Sequence, residues 1–559
     1  MNRAGFVRTG LAPGWFRAVR LGVVVALAAG AEALAAAATP AEVPSLMQGR
    51  GSDVHFPVSC GEEVQPRFDA ALAALHSFWY GQALKEFTAI ADAHPDCAMA
   101  QWGIAMSVWN QIWAPPRPDN LQKGRGAIEK ARIVGPTSAR EQDYIGALAT
   151  FYADYEKLDH RTRVLAYTVK TAELARRYPD DREATIFYAL ALLASADPLD
   201  KTYANQLKAG GMLEKIMAET PQHPAVSHYI IHAYDYPALV DRALKAAQTY
   251  AVCVTVVPHA IHMPSHTYVL LGRWRDTITA NIAGEVAEQE RGTPEDRIHD
   301  LDYLVYAYLQ LGEDAKAKEV LDLALSIEDD LAARKHDSGL RARPFGIAAI
   351  EARWMIERQD WAGAAALPVR ADQRYPFVEA VSRFARAVGL ARSGRPAQAQ
   401  AEIERLAALQ KTLADAKNLY WARQVGIAQQ VAAGWQARAQ GRNEEALALI
   451  QAAAAAEEQS ETHDTLSPGP VGITAHEALG ALLMELDRPA DALRAYEASL
   501  RTSRNRLQSY LGAARAAAAA GDKENARAYA VKAVALADGS ATTRPEILAA
   551  RAYAGAVSK

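Results

Sequence analysis

Two segments decide the fold of this 559-residue chain: Pro224-Ala-Val-Ser-His-Tyr-Ile-Ile-His232 and Pro258-His-Ala-Ile-His-Met-Pro-Ser-His266. When the segments are aligned, a proline and two histidines each recur after 34 residues. A period of this length is typical of helix–turn–helix units that stack into a solenoid. The repeat therefore predicts an all-α protein with two histidine pairs at equivalent positions of neighbouring units.

The clearest repeat signature lies near the C-terminus. Leu479 and Gly480 mark a first helix that contains a small residue, and Asp487 marks a tight turn. Ala492 and Tyr496 then mark a second helix that contains alanine and an aromatic residue. The turn and the alanine recur 34 residues later at Gly521 and Ala526. In this pattern the chain resembles the tetratricopeptide repeat family over most of the stretch from Pro66 to the C-terminus.

The resemblance implies an α-α superhelix with a concave groove, and strand-like alternation is absent from the sequence. We predict two sub-arrays that divide in the stretch Lys335–Pro344: an N-terminal array over 66–340, which carries the histidines, and a C-terminal array over 341–559. Residues 39–65 contain proline and glycine without a helical period and are interpreted as a linker.

The N-terminus predicts export. An apolar run over 21–29 follows four arginines, and small residues continue to Ala38, so 1–38 has the charged, apolar and cleavage regions of a signal peptide. A buried N-terminal helix is the alternative interpretation. The run is too short for a stable membrane anchor. We therefore expect a periplasmic or secreted protein without a transmembrane anchor after cleavage.

Export makes the three cysteines informative, because disulfides persist in oxidising compartments. Cys60 enters the first helix pair and Cys97 follows that pair, so the two are placed to form a disulfide. Three unpaired thiols are the alternative. Cys253 lies between two valines and is interpreted as a core residue.

The histidine pairs predict a shared metal site. Residues four apart lie on one face of a helix, and packed helices lie about 8–10 Å apart, a gap that two imidazoles can bridge through one ion. The resemblance implies that the first helix of each repeat lines the groove. We therefore predict that His228, His232, His262 and His266 converge there as metal ligands.

Further ligands, or groups that orient the imidazoles, are expected close by. The candidates are His76, Asp235, His259, His299 and Asp300. Imidazole suits a divalent transition metal, with zinc or copper first and iron or manganese favoured if carboxylates join. Pro264 is expected to kink the helix that carries the second pair. A groove for an anionic ligand or a peptide, and histidines with a structural role only, are the alternatives.

Two functions remain open from the sequence. The first is an exported repeat protein whose histidine-rich groove binds a peptide, a protein or a small-molecule ligand. The second is a metal-dependent enzyme, an oxidoreductase or a hydrolase, built on the solenoid. Tyr229 replaces the glutamate of the His-Glu-x-x-His motif, which argues against a zinc peptidase. A net charge of -4 excludes a general nucleic-acid binder.

Overall fold

Stacked helical hairpins make up the structure, a computed structural model that describes residues 54–110, 112, 115–136, 138–197, 200–254, 256–336, 340–460 and 466–556. These ranges contain helices and connecting turns and no strand. The predicted signal peptide lies outside the described residues. No described helix combines the length and the apolar character that crossing a bilayer requires.

The helices of the N-terminal half, in chain order, are α1 (Gln65–His76), α2 (Tyr80–Ala93), α3 (Ala98–Ser107), α4 (Pro118–Val134), α5 (Ala139–Tyr152), α6 (His160–Arg177), α7 (Arg182–Ala194), α8 (Ala204–Glu219), α9 (Pro224–Ala233), α10 (Leu244–Cys253), α11 (Pro258–His262), α12 (Pro264–Leu270) and α13 (Trp274–Arg291). Those that follow are α14 (Pro294–Gln310), α15 (Asp314–Ala333), α16 (Ala342–Ile356), α17 (Trp361–Ala366), α18 (Pro376–Arg392), α19 (Pro396–Asp415), α20 (Leu419–Ala439), α21 (Asn443–Glu458), α22 (Ala475–Glu485), α23 (Pro489–Thr502), α24 (Leu507–Ala519), α25 (Lys523–Leu536) and α26 (Pro545–Ala556). A short 3₁₀ helix, Val240–Arg242, precedes α10.

The hairpins follow from local chemistry. Proline, which tolerates the first turn of a helix, begins several helices, among them the histidine-bearing α9 and α11. The turn inside a hairpin uses a left-handed residue, which is a glycine at Gly312 and at Gly521. Each helix packs on the next, and the first helix of one hairpin also packs on the first helix of the following hairpin from α14 to α26. This pattern of neighbour contacts is that of a tetratricopeptide-like solenoid, and the predicted all-α superhelix is confirmed.

Small residues set how closely the helices approach. The ring of Tyr496 on α23 lies between Gly480 of α22 and Gly512 of α24. A Cβ atom added at Gly512 would lie 2.3 Å from that ring. The glycines therefore give the aromatic residue its space.

The substitution Gly512→Ala is expected to destabilise the protein by about 1–3 kcal/mol, because the added methyl group must displace the Tyr496 ring. The measurement is the urea midpoint of unfolding. Gly146→Ala in α5 is the matched control: its Cβ would meet no atom within 4 Å, so it should stabilise by about 0.5–1 kcal/mol through helix propensity. Equal midpoints for the two variants would contradict this account of the packing.

The start of the described chain is packed rather than extended. Phe56, within the predicted linker, is fully buried and lies against Phe68, Trp102 and Tyr144. A disulfide joins Cys60 to Cys97 with a Cα–Cα distance of 4.9 Å. The bond fastens this segment to the N-terminus of α3.

The solenoid curls so that helices far apart in sequence meet. Helix α1 packs directly on α9. At the other end, the segment before α24 returns to the middle of the chain: the Leu507 amide donates to Gln310 of α14 over 3.0 Å, and the Trp274 indole of α13 donates to the Asn505 carbonyl over 2.9 Å. The described residues lie in one compact unit, Ala41–Lys559. The division predicted near residue 340 stays a prediction, although α14 and α16 pack across it.

Candidate metal centre

Three consecutive first helices carry the histidines of the site. Helix α9 carries His228 and His232, and the interrupted helix α11–α12 carries the second pair and His259. Helix α14 adds His299. The interruption falls where a kink was predicted, because α11 ends at His262 and α12 begins at Pro264.

The six imidazoles form two neighbouring groups. The upstream triad, defined here as His228, His232 and His259, and the downstream triad, His262, His266 and His299, each offer three nitrogen atoms within 4.8 Å of one another. The two groups adjoin, because the rings of His232 and His266 are 6.3 Å apart. The four histidines predicted as one site are therefore brought together, but each pair is completed by a different third histidine.

Three of the imidazoles are held by hydrogen bonds at Nδ1. His228 Nδ1 lies 2.7 Å from the backbone oxygen of His76. His262 Nδ1 lies 2.7 Å from Asn281 Oδ1 and 2.6 Å from Asp300 Oδ1. A proton donated from Nδ1 leaves the lone pair on Nε2, and hydrogen bonds of this kind orient the histidines that bind metals in proteins.

His266 is the third imidazole held by a hydrogen bond at Nδ1, which lies 2.9 Å from Asp235 Oδ2. On the other side of the imidazoles, His228 Nε2 and His232 Nε2 are 3.1 Å apart. Two nitrogen ligands at about 2.0–2.1 Å from one tetrahedral zinc ion are separated by about 3.3 Å. His262 Nε2 is buried and has no hydrogen-bond partner among the described residues. These nitrogen atoms are thus placed as ligands of an ion would be.

The centre is enclosed. The four predicted ligands are 0–6 % exposed, so they are buried rather than displayed on an open groove. His259 and His299 are half-buried and form the side of the cluster nearest to solvent. Burial lowers the pKa of His262 to about 4 and holds the pKa of His232 well below its ordinary value. His232 and His262 are therefore neutral at pH 7, the form that binds metal.

Aromatic side chains wall the centre. The Phe78 ring lies 4.4 Å from the ring of His228 and 5.5 Å from that of His232, and it occupies a left-handed backbone position with φ 56°. Tyr303, four residues after His299 on α14, lies 4.8 Å from the ring of His262. A dry wall of this kind strengthens electrostatic interactions inside the site.

Buried carboxyl groups surround the downstream triad. Burial raises the pKa of Asp300 well above its ordinary value, and Asp296 and Glu285 add to that effect. A cation on the neighbouring imidazole would favour the ionised carboxylate. Gly284 gives Asp300 its space, since a Cβ there would lie 2.5 Å from Oδ2. Asp302, in contrast, forms an ion pair with Arg353 over 2.9 Å.

His76 acts through its backbone rather than as a ligand of these triads. Its carbonyl oxygen holds His228, while its side chain bonds Glu183 through Nε2 over 2.9 Å and Tyr229 through Nδ1 over 2.9 Å. Glu183 also accepts from His223 over 2.8 Å. Burial opposes ionisation of Glu183, but the two histidines outweigh it and lower the carboxyl pKa. This network fixes α1 against α7 and α9.

Several residues around the centre were not predicted from the sequence. Glu183, His223 and Asn281 were not among the candidates, because nothing in their spacing links them to the paired histidines. A signal for the third helix does exist: Pro294 begins α14 as Pro224 and Pro258 begin the earlier helices. On α14, tyrosine follows histidine after four residues, so the His-x-x-x-His pattern is broken there.

The fold and the site together define a tetratricopeptide-like helical-repeat protein with a buried histidine centre. No protein-family model matches the chain, and no curated protein matches its sequence. Among solved structures, the crystal structure of the APC/C hetero-tetramer Cut9-Hcn1 is similar at 11% identity and a TM-score of 0.25, over 92% of this chain and 99% of that chain. The structure of Naa15/Naa10 bound to HypK-THB matches at 13% identity and a TM-score of 0.23, over 89% and 81%. Scores this low carry no argument, so the assignment of fold rests on the helix packing itself.

Proposed function

We propose that this protein is an exported metalloprotein that binds a transition metal ion in its buried histidine centre. The observation that carries the proposal is the anchoring of Nδ1 in His228, His262 and His266. Histidines with only a packing role have no need to turn Nε2 toward one another in a water-poor space. Neutral imidazoles in this arrangement supply the donor set of a metal site.

Zinc and copper are the favoured ions. All six side chains that could reach an ion in the two triads are imidazoles, and this donor set suits zinc and copper. The carboxylates Asp235 and Asp300 bond to imidazoles, so they would act behind the ligands rather than as ligands. Iron or manganese, which were favoured if carboxylates joined the ligand set, therefore have less support.

Elemental analysis of the full chain, purified without a histidine tag, tests the proposal. We expect at least one equivalent of zinc or copper per chain in the wild type and its loss in the His232→Ala, His266→Ala double variant. A double variant of two histidines outside the cluster, His55→Ala with His94→Ala, should retain the metal. A wild-type chain that holds no metal after incubation with Zn²⁺ or Cu²⁺ would refute the proposal.

Export is supported by the disulfide between Cys60 and Cys97, because such bonds persist outside the reducing cytosol. Cell fractionation and N-terminal sequencing of the mature chain test this part. We expect a periplasmic or secreted protein that starts near residue 39. An uncleaved chain in the cytoplasm would contradict it.

Catalysis is a second candidate function, and the partial exposure of His259 and His299 is the observation that favours it. An ion near this edge would be accessible to a small substrate. Adding azide to the Co²⁺-substituted protein tests the access: a change in visible absorption is expected if an open coordination position faces solvent. An unchanged spectrum would argue against an enzyme.

A peptide or protein bound in the groove would not touch the four buried histidines directly.

A further inference from the structure

We propose that the six histidines form two metal sites of unequal affinity, in which the downstream triad fills first and the upstream triad second. This inference rests on the proposed function and adds the number of ions, their ligands and their order of binding. The predicted single centre of His228, His232, His262 and His266 would instead hold one ion between the two helices.

The grouping of the imidazole nitrogen atoms favours two sites over one. Within the downstream triad, the His262 ring lies 4.9 Å from His266 and 4.7 Å from His299. Within the upstream triad, the His228 ring lies 4.8 Å from His232 and 5.4 Å from His259. The ring distances alone do not separate the two groups, because the His232 ring lies 6.4 Å from that of His259 and 6.3 Å from that of His266. The nitrogen atoms do separate them, since the three of each triad lie within 4.8 Å of one another. Each histidine pair thus has its own third imidazole within reach of a shared ion.

The charges behind the ligands make the two sites unequal. In the downstream triad, carboxyl oxygens of Asp300 and Asp235 lie 2.6 and 2.9 Å from Nδ1 of His262 and His266. In the upstream triad, the group behind His228 is an uncharged backbone carbonyl. A divalent ion taken out of water into a buried site loses its hydration, and nearby anions compensate for that loss. Two carboxylates favour the downstream triad for a divalent ion.

A third group of possible ligands, His76, Glu183 and His223, does not take part as a site. Its carboxylate already accepts hydrogen bonds from both histidines, at 2.9 and 2.8 Å. An ion there would have to break both bonds. The group instead holds the end of α1 in place, and through the His76 carbonyl it positions His228.

A calorimetric titration of the metal-free full chain with Zn²⁺ tests the inference. The wild type should bind two equivalents in two steps whose dissociation constants differ by about tenfold or more, the effect that groups bonded to metal-binding histidines have on metal affinity. The matched variants His259→Ala and His299→Ala each remove one half-buried histidine, one from each triad. His299→Ala should lose the tight step, and His259→Ala should lose the weak one.

The variant Asp300→Asn removes a carboxylate but keeps an oxygen beside His262 Nδ1. It should weaken the tight step by about tenfold or more and leave the weak step unchanged. Because asparagine is nearly isosteric with aspartate, this variant tests whether the downstream triad is the tight site even if an alanine variant fails to fold. Circular dichroism would show such a failure.

The possible outcomes separate the two proposals. A single equivalent that both alanine variants weaken alike would overturn the two-site inference and leave the metalloprotein proposal standing. Loss of the tight step in His259→Ala, or an unchanged tight step in Asp300→Asn, would overturn the order of filling. Failure of the wild type to bind Zn²⁺, with Cu²⁺ also failing to bind, would refute both proposals.

Discussion

Replacing Arg506 with methionine is expected to lower the free energy of unfolding by about 3–5 kcal/mol, because the change leaves two buried carboxylates without their cation. The guanidinium donates to Glu477 through Nε over 2.7 Å and to Glu357 through Nη1 over 2.7 Å. It also donates to Tyr306 on α14 over 3.0 Å and to the Gly472 carbonyl over 2.8 Å. Arg506 is 1 % exposed. One side chain therefore fastens the C-terminal hairpins to the helix that carries His299.

The matched control lies two residues away. Arg504 pairs with Asp241 over 2.7 Å and also links the segment before α24 to the N-terminal half, but the Asp241 side chain is 69% exposed. An exposed pair contributes about 0–1 kcal/mol, so Arg504→Met should shift the urea midpoint only slightly. Equal urea midpoints for the two variants would show that the buried network around Arg506 does not hold the segment before α24 against the N-terminal half.

Removing the disulfide is the second large effect. The bond closes a loop over a sequence separation of 37 residues, so Cys60→Ser with Cys97→Ser should lower the free energy of unfolding by about 4 kcal/mol in the chain-entropy model. The segment that contains Phe56 would lose its tether to α3. The measurement is the urea midpoint of the double variant beside that of the wild type.

A phosphine reductant provides an internal check on this result. It should lower the wild-type midpoint to that of the double variant and leave the double variant unchanged. Cys253→Ser, which alters the cysteine outside the bond, should keep the response to the reductant. A wild-type midpoint that ignores the reductant would contradict the predicted contribution of the bond.

The repeat period carried much of the sequence analysis. In a stacked array with a 34-residue period, equivalent residues of neighbouring units are adjacent. The period alone therefore predicted that His228 lies beside the pair His262 and His266. Closeness in sequence to the paired histidines named Asp235, His259, His299 and Asp300 as further candidates, and the structure brings all four to the two triads.

What the sequence could not supply arises from curvature and from long-range contacts. The His76 carbonyl and His228 are 152 residues apart, and they meet because the superhelix brings α1 onto α9. Burial of the histidines likewise depends on Phe78, a residue that no periodic pattern ties to them. The division into two triads depends on the distances between imidazole nitrogen atoms, since spacing along a helix cannot decide which third imidazole completes each pair.

The 34-residue recurrence of the histidine pairs has an evolutionary consequence. In a stacked array, a gene duplication that copies one hairpin also sets the copy against its parent. A unit with two imidazoles on its inner face would thus acquire a facing pair in a single genetic event. One further histidine in each half, His259 and His299, would then suffice to complete the two triads.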